Sequence, residues 1–201
     1  MARGIGEEQD EGQTPIEDLS GLIPRIHLQK ELNLCEYKNY VKAVTKYRLM
    51  PLESKEPLFT YEGLIQIHRD MMGDVWEWAG EPRKTNKSIG VPKEKIGSEL
   101  HKLLYELRDW EKSKKSAEEI GVQLHHGLVW IHPFENGNGR WARLITNIYL
   151  RHSKSKPVKW PDDPEYVKNV FRPRYLKAMK AADGGDFKLL GELHREYEQN
   201  D

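Results

Sequence analysis

Ile131-His132-Pro133-Phe134-Glu135-Asn136-Gly137-Asn138-Gly139-Arg140-Trp141-Ala142-Arg143 is the stretch on which the reading of this chain turns. Ile131 closes an apolar series, Ile120, Leu124, Leu128 and Ile131, spaced three or four apart as on the buried stripe of a helix. Ser116-Ala-Glu-Glu has the pattern of a capping box that opens that helix, and Pro133 stops it. A new helix starts near Gly139 and buries Trp141, Leu144, Ile145 and Ile148. Between the two lies a glycine-rich turn. Gly137 and Gly139 permit positive φ and the close approach of a ligand. They stand immediately before a helix N-terminus, where unpaired N–H groups and the helix dipole favour an anion. Arg140 and Arg143, three apart, project to one side of the new helix, and the planar guanidinium suits bidentate contact with phosphate. Asn138 offers a further amide donor, Phe134 an apolar pin for the loop, and His132 a base that works near neutral pH. Each feature alone has a bland explanation: a common turn, a solvated face, a structural histidine. Their convergence points to chemistry on a phosphate-bearing substrate.

The same periodicity organises the rest of the chain. Leu32, Tyr37, Tyr40, Val41, Val44 and Tyr47 recur at helical spacing between about Gln29 and Met50. Thr60 is a candidate N-cap for a helix carrying Leu64, Ile67, His68, Met71, Met72 and Val75 on one face. Pro92 suits the first turn of a helix reaching about Lys112 through Ile96, Leu100, Leu103, Leu104, Leu107 and Trp110. Two more helices are predicted over about 163–182 and 186–198, separated by Asp183-Gly-Gly. Gly80, Pro82 and Gly90 break the helical pattern, and short alternation over Arg83–Val91 predicts a small β-hairpin. Residues 1–13, polar, acidic and Gly-rich, read as a disordered tail. Residues 14–50 read as an N-terminal arm, with Leu19, Leu22 and Ile23 available to pack, followed by the first helix; residues 51–201 form the core with the C-terminal helices. The expectation is one mainly α domain of six or seven helices with one hairpin.

Thirty-two basic and thirty-two acidic residues cancel, so no global charge draws this chain to nucleic acid or to an anionic membrane. A mean hydropathy of −0.80, with no apolar run approaching ~20 residues and no apolar leader, predicts a cytoplasmic protein. The single cysteine, Cys35, excludes an internal disulfide framework and a Cys-rich zinc site. His125 and His126 are adjacent and point to different sides of a helix, so they read as structural or polar residues rather than a metal pair. Arg83, Lys84, Lys87, Lys93 and Lys95 form either a basic patch for an acidic target or a solvated surface offset by Glu81 and Glu94. Trp76 and Trp78, with Met71 and Met72, read as core.

His132 to Arg143 resembles the signature of the Fic (filamentation induced by cAMP) family, His-x-Phe-x-(Asp/Glu)-Gly-Asn-Gly-Arg-x-x-Arg. Met72-Gly-Asp-Val-Trp-Glu-Trp-Ala-Gly-Glu-Pro-Arg and Asn86-Lys-Ser-Ile-Gly-Val look like the family's helix end and flap. Thr14-Pro-Ile, Gly21-Leu-Ile-Pro, Glu31-Leu-Asn and Ala181-Ala-Asp-Gly-Gly-Asp-Phe resemble the subfamily called mobile mystery protein B, whose name reflects mobile elements and a companion helix-turn-helix protein. The resemblance covers about residues 14–197. It implies the Fic fold and transfer of AMP from ATP to a Ser, Thr or Tyr hydroxyl of a target protein. By the same carry-over His132 is the base, and Gly137, Asn138 and Gly139 form the anion hole for the α- and β-phosphates. Arg140 and Arg143 contact phosphates, and Mg²⁺ or Mn²⁺ bridges them. Thr85, Asn86, Lys87, Ser88, Ile89, Gly90 and Val91 form a flap that registers an extended target segment by β-augmentation. In-line displacement at phosphorus asks for positioning and charge neutralisation more than covalent help, which suits these residues.

Two departures from the family pattern stand out. Asn136 occupies the position of the metal-binding carboxylate, with the acid, Glu135, one place earlier, so weaker Mg²⁺ binding or a changed nucleotide pose is expected. Many members are also held off by a helix of pattern (Ser/Thr)-x-x-x-Glu-(Gly/Asn), whose Glu pairs with the second arginine, here Arg143. No such string occurs: Glu62-Gly63 has Leu58 four places before the Glu, and Glu11-Gly12 has Glu7. Restraint by a separate regulatory protein, by an atypical acid such as Glu31 or Glu36, or no restraint at all are the alternatives. For the activity itself the rivals are a phosphotransferase that uses the γ-phosphate and a weakly active scaffold that binds nucleotide or protein.

Overall fold

The computed structural model describes residues 19–26, 28–52, 58–162 and 166–199. Among them seven α-helices follow one another: α1 (Gln29–Leu49), α2 (Tyr61–Met72), α3 (Ile96–Glu111), α4 (Ala117–Ile131), α5 (Asn138–His152), α6 (Arg172–Asp183) and α7 (Lys188–Glu196). A 3-10 turn, Lys93–Lys95, leads into α3, and a π turn, Val167–Phe171, leads into α6. The mainly α fold expected from the apolar spacing is present. Among the described residues β pairing is limited to two single bridges, Leu22 with Trp76 and Val158 with Glu198.

The α4–α5 pair is the centre of the fold, with α3 packed on α4, α1 on α2, and α6 and α7 against α4. Sequence explains its entry: the Ser116 hydroxyl accepts from the Glu119 N–H, and the Glu119 carboxylate accepts from the Ser116 N–H at 2.7 Å. The predicted stripes are buried on both helices, Ile120, Leu124, Leu128 and Ile131 on α4 and Trp141, Leu144, Ile145 and Ile148 on α5. Thr60 caps α2 as expected, its hydroxyl accepting from the Gly63 N–H at 3.0 Å.

Helix α1 differs from its sequence reading. Its buried face runs Leu32, Glu36, Asn39, Ala43 and Tyr47, while Tyr37 and Val41 are exposed. Apolar spacing misplaced the face because two of the buried residues are polar and satisfied. Asn39 accepts from the Asp74 N–H at 2.9 Å and donates to the Asp70 carbonyl at 3.1 Å, and Glu36 has partners described below. Paired polar groups bury at little net cost. The predicted tail, residues 1–13, and the start of the arm lie outside the described residues. Farther along the arm, Leu19 and Leu22 pack on the core, whereas Ile23 is exposed and only its N–H is used, donating to the Val75 carbonyl at 2.9 Å.

His125 and His126 do point apart. His126 Nε2 meets Asp183 Oδ1 at 2.9 Å. His125 turns inward, with Nδ1 2.9 Å from His194 Nε2 and Nε2 2.9 Å from the Tyr175 hydroxyl. Burial drives His125 well below the ordinary histidine value and His194 down to about 4. Unfolding lets both regain a value near 6.5, so their neutral burial stabilises fully above about pH 6.5 and progressively less as pH falls toward 4. Thermal melts are therefore expected to show Tm falling between about pH 6.5 and about pH 4.5. A flat Tm across that interval would contradict the buried neutral pair.

Candidate active site

Helix α4 ends on His132, which takes a left-handed conformation (φ 52°, ψ 59°) unusual for a residue with a side chain. The chain then reverses into α5. Phe134 anchors the reversal: it is fully buried, its ring lies 3.6 Å from His68 and nearly parallel to it, and Trp141 meets it edge-on at 5.0 Å. The Asn138 side chain closes the loop, accepting from the Phe134 N–H at 2.9 Å and donating to the Phe134 carbonyl at 2.8 Å. That side chain is therefore spent inside the loop and is not the free donor the sequence suggested; only its backbone remains for an anion. The N–H groups of Asn138, Gly139 and Arg140 make no backbone hydrogen bond, whereas the Trp141 N–H closes the first turn on Gly137 at 2.9 Å. Gly137 uses its freedom, with φ +78°. Gly139 does not: it is helical, and what its missing side chain supplies is open space.

The two arginines are in different states. Arg140 Nη2 lies 2.6 Å from Glu36 Oε2, and Glu36 is only 5% exposed. The other carboxylate oxygen of Glu36 accepts from Trp76 Nε1 at 2.9 Å and from Asn136 Nδ2 at 3.3 Å. Arg143 makes no ion pair among the described residues. Its guanidinium lies over the rings of Tyr175 and Trp160, 5.9 and 6.0 Å from their centroids. One cation is thus occupied by an internal carboxylate and the other is held on an aromatic shelf.

His132 is 6% exposed, and its ring faces the Val129 carbonyl without a well-formed hydrogen bond, so both ring nitrogens are buried without a partner. Burial, with Arg83 and Lys87 nearby, holds this imidazole down to about 4, so it is neutral at physiological pH. Covering it is the loop of residues 83–91. A Cβ on Gly90, where φ is +92°, would stand 2.6 Å from the Cβ of His132.

The hairpin expected over Arg83–Val91 is not formed. Arg83 takes the place of strand pairing: it is 3% exposed, and its guanidinium donates from Nε to the His132 carbonyl at 2.8 Å, from Nη1 to Thr85 at 2.8 Å and from Nη2 to Val91. Backbone bonds from Arg83 to Pro133 and from Val91 to Ile131 tie both arms of the loop to the end of α4 rather than to each other. Within the loop, Asn86 accepts from the Lys93 N–H at 2.9 Å, Ser88 and Ile89 are exposed, and Val91 is buried. No N–H from Lys84 to Gly90 donates to another backbone group.

The residues at the turn do not fit a Mg²⁺ cage. Glu135 is turned to the loop, 2.6 Å from Lys87 Nζ and 3.3 Å from the Thr85 hydroxyl. Asn136 Oδ1 accepts from the Gly137 N–H at 2.7 Å, and its amide faces Glu36. Mg²⁺ favours carboxylate and phosphate oxygens, and among the described residues no group of three or more His, Cys, Asp or Glu has a metal-binding arrangement.

The structure gathers His132, Phe134, Asn136, Gly137, Asn138, Gly139 and Arg140 around one turn, with the 85–91 loop above His132, and sets the Arg143 guanidinium on the rings of Tyr175 and Trp160 one helical turn farther on. Sequence reasoning counted Arg83 only within a basic patch, placed His68 only on a buried stripe, and weighed Glu36 merely as one acid among several. The readable signal for Glu36 was its spacing, four residues after Leu32 and four before Tyr40 on the inner face of α1.

Residues 58–150 match the model of the Fic/DOC family. Over 151 residues the chain is 28% identical to the protein adenylyltransferase Fic of Aedes aegypti, covering 73% of this chain and 29% of that protein. Over 148 residues it is 30% identical to the protein of the same name from Nematostella vectensis, covering 71% and 33%. The chain thus spans about a third or less of the length of these curated relatives. Among solved structures, a fragment of Fic-1 from C. elegans superposes with a TM-score of 0.66 at 26% identity, covering 81% of this chain and 49% of that one. The Bartonella tribocorum effector BepC, solved with bound AMPPNP, gives a TM-score of 0.67 at 20% identity over 88% of this chain and 90% of that one.

Proposed function

We propose that this chain, whose residues 58–150 match the Fic/DOC family model, is a protein adenylyltransferase moving AMP from ATP to a Ser, Thr or Tyr hydroxyl of a target protein. The observation that carries this reading is the pairing, across one short turn, of a buried neutral His132 with the open N–H groups that begin α5. A ring nitrogen of His132 takes the proton of the target hydroxyl as its oxygen attacks the α-phosphorus. The bond from that phosphorus to the bridging oxygen breaks, and pyrophosphate leaves. The Asn138, Gly139 and Arg140 N–H groups hold phosphate oxygens, and Arg143 neutralises charge on the triphosphate. Negative charge arriving with the nucleotide favours the protonated imidazole and so strengthens the base when substrate is present.

The target docks as an extended segment along residues 85–91. The unpaired backbone donors of that loop support this, since pairing through the main chain needs no particular target sequence. A cytoplasmic setting, where ATP is supplied, suits the reaction. Mg²⁺ or Mn²⁺ accompanies ATP in the reading taken from the family, but no step above depends on a metal, because the residues at the turn do not offer it a carboxylate. Glu36 restrains the site: its carboxylate occupies Arg140 and competes with phosphate for that cation.

Incubating the protein with cell lysate and ATP labelled at either the α- or the γ-phosphate tests the assignment. Transfer of α-label to protein, dependent on His132, is the expected result. Transfer of γ-label alone would replace the reading with phosphorylation. No His132-dependent label, even with Glu36 neutralised, would reduce the protein to a binding scaffold.

A further inference from the structure

His68 is fully buried where α2, the start of the 80–91 segment and the phosphate turn meet, and it has no part in the chemistry above. The Gly80 N–H donates to His68 Nδ1 at 2.9 Å, so Nδ1 is the nitrogen with the lone pair. Nε2 lies 3.0 Å from the Asn136 carbonyl oxygen, which only accepts, so Nε2 carries the hydrogen. The ring also lies flat on Phe134. Three contacts thus hold a neutral imidazole in one tautomer and one orientation, consistent with a basicity that burial lowers to about 3.

The Asn136 carbonyl and the Gly137 N–H belong to one planar peptide unit and point in opposite directions. Gly137, at φ +78°, is the residue type that tolerates either orientation of that unit. In the orientation present, the carbonyl faces His68 and the N–H points away from it, where Asn136 Oδ1 already sits as an oxygen acceptor at 2.7 Å. A flip would bring the N–H against the Nε2–H of His68, donor against donor. It would also present a carbonyl dipole to the side where an anion is to bind, and a row of N–H groups attracts anions that a carbonyl repels.

We propose that His68 is the positioning residue of the phosphate turn, its Nε2–H fixing the Asn136–Gly137 peptide so that the N–H faces the bound phosphate. The identity of that phosphate as part of a nucleotide rests on the adenylyltransferase reading; the positioning itself does not. His68→Gln keeps a donor at the Nε2 position, His68→Asn keeps an acceptor for Gly80 but loses the donor, and His68→Phe keeps the stack and loses both. Two readouts separate the possibilities: the affinity for ADP and, without nucleotide, the amide resonance of Gly137. The Asn and Phe variants are expected to bind ADP about tenfold more weakly and to displace the Gly137 resonance, while the Gln variant stays within about threefold. Nitrogen-15 shifts of the wild-type imidazole are expected to show a protonated Nε2 and a bare Nδ1, a measurement that needs no variant to fold. A protonated Nδ1, or a Gly137 resonance unmoved in the Asn and Phe variants, overturns the inference. Absence of ADP binding by the wild type, with the Gly137 resonance displaced as expected, would sink the nucleotide reading and leave the positioning role standing.

Discussion

His132→Ala is expected to lower target modification by about 10²- to 10⁴-fold, the range typical of removing a general base. The fold should survive, because neither ring nitrogen has a hydrogen-bond partner and the surrounding loop is tied through the His132 carbonyl, which the variant keeps. Initial rates at saturating ATP, with Tm measured alongside, separate lost chemistry from lost structure. A loss below about tenfold at unchanged Tm would remove His132 from the role of base. The pH profile carries a second signature. kcat/KM reports the free enzyme, in which burial holds the imidazole down to about 4, so the acid limb should lie well below the ordinary histidine value of 6.5. An acid limb at or above 6.5 would indicate a different base.

Glu36→Gln is expected to act in the opposite direction, raising the initial rate by about ten- to a hundredfold. In the present structure Arg140 gives its Nη2 donor and much of its charge to Glu36, so a phosphate competes with that carboxylate for the cation, and a charge-assisted hydrogen bond of this kind is worth about 1.5–3 kcal/mol. Removing the charge while retaining the shape lifts that competition and leaves an oxygen for Trp76 Nε1. Arg140 is about a quarter exposed on its side chain, so water satisfies it when its partner is gone, and little stability should be lost. The effect should appear as a lower KM for ATP, with a gain in kcat if Arg140 contacts the phosphate in the transition state. An unchanged or lower rate, with wild-type Tm, would show that Glu36 merely braces α1 against the turn.

The helices and the turn were legible for one reason: their determinants are local. Ser116 with Glu119, Thr60, Pro133 and the three-to-four spacing of Ile120 through Ile131 act within a few residues of themselves. The same locality made the turn readable, since the positive φ of Gly137 and the unpaired N–H groups of a helix start need no distant partner. Two local readings failed where a distant partner intervened. Tyr37 and Val41 share the helical spacing of the apolar residues of α1 yet are exposed, and Glu36 and Asn39 hold the buried face because Arg140, Trp76 and Asp74 satisfy them from far along the chain. Alternation over Arg83–Val91 suggested a hairpin, but the Arg83 guanidinium ties the loop to α4 instead.

Taken alone, the sequence determined a helical fold, a glycine turn at a helix start, a histidine beside it and two arginines three residues apart, because side-chain spacing and backbone freedom are properties of neighbouring residues. Tertiary structure alone decided the state of that machinery. It placed a buried carboxylate from α1 on Arg140, turned Glu135 toward Lys87, buried His132 beneath Gly90 and locked His68 beneath the turn. Each is a contact between residues remote in sequence, set by how α1, α2 and the 83–91 loop pack around the α4–α5 reversal, and spacing along a single segment carries no record of it.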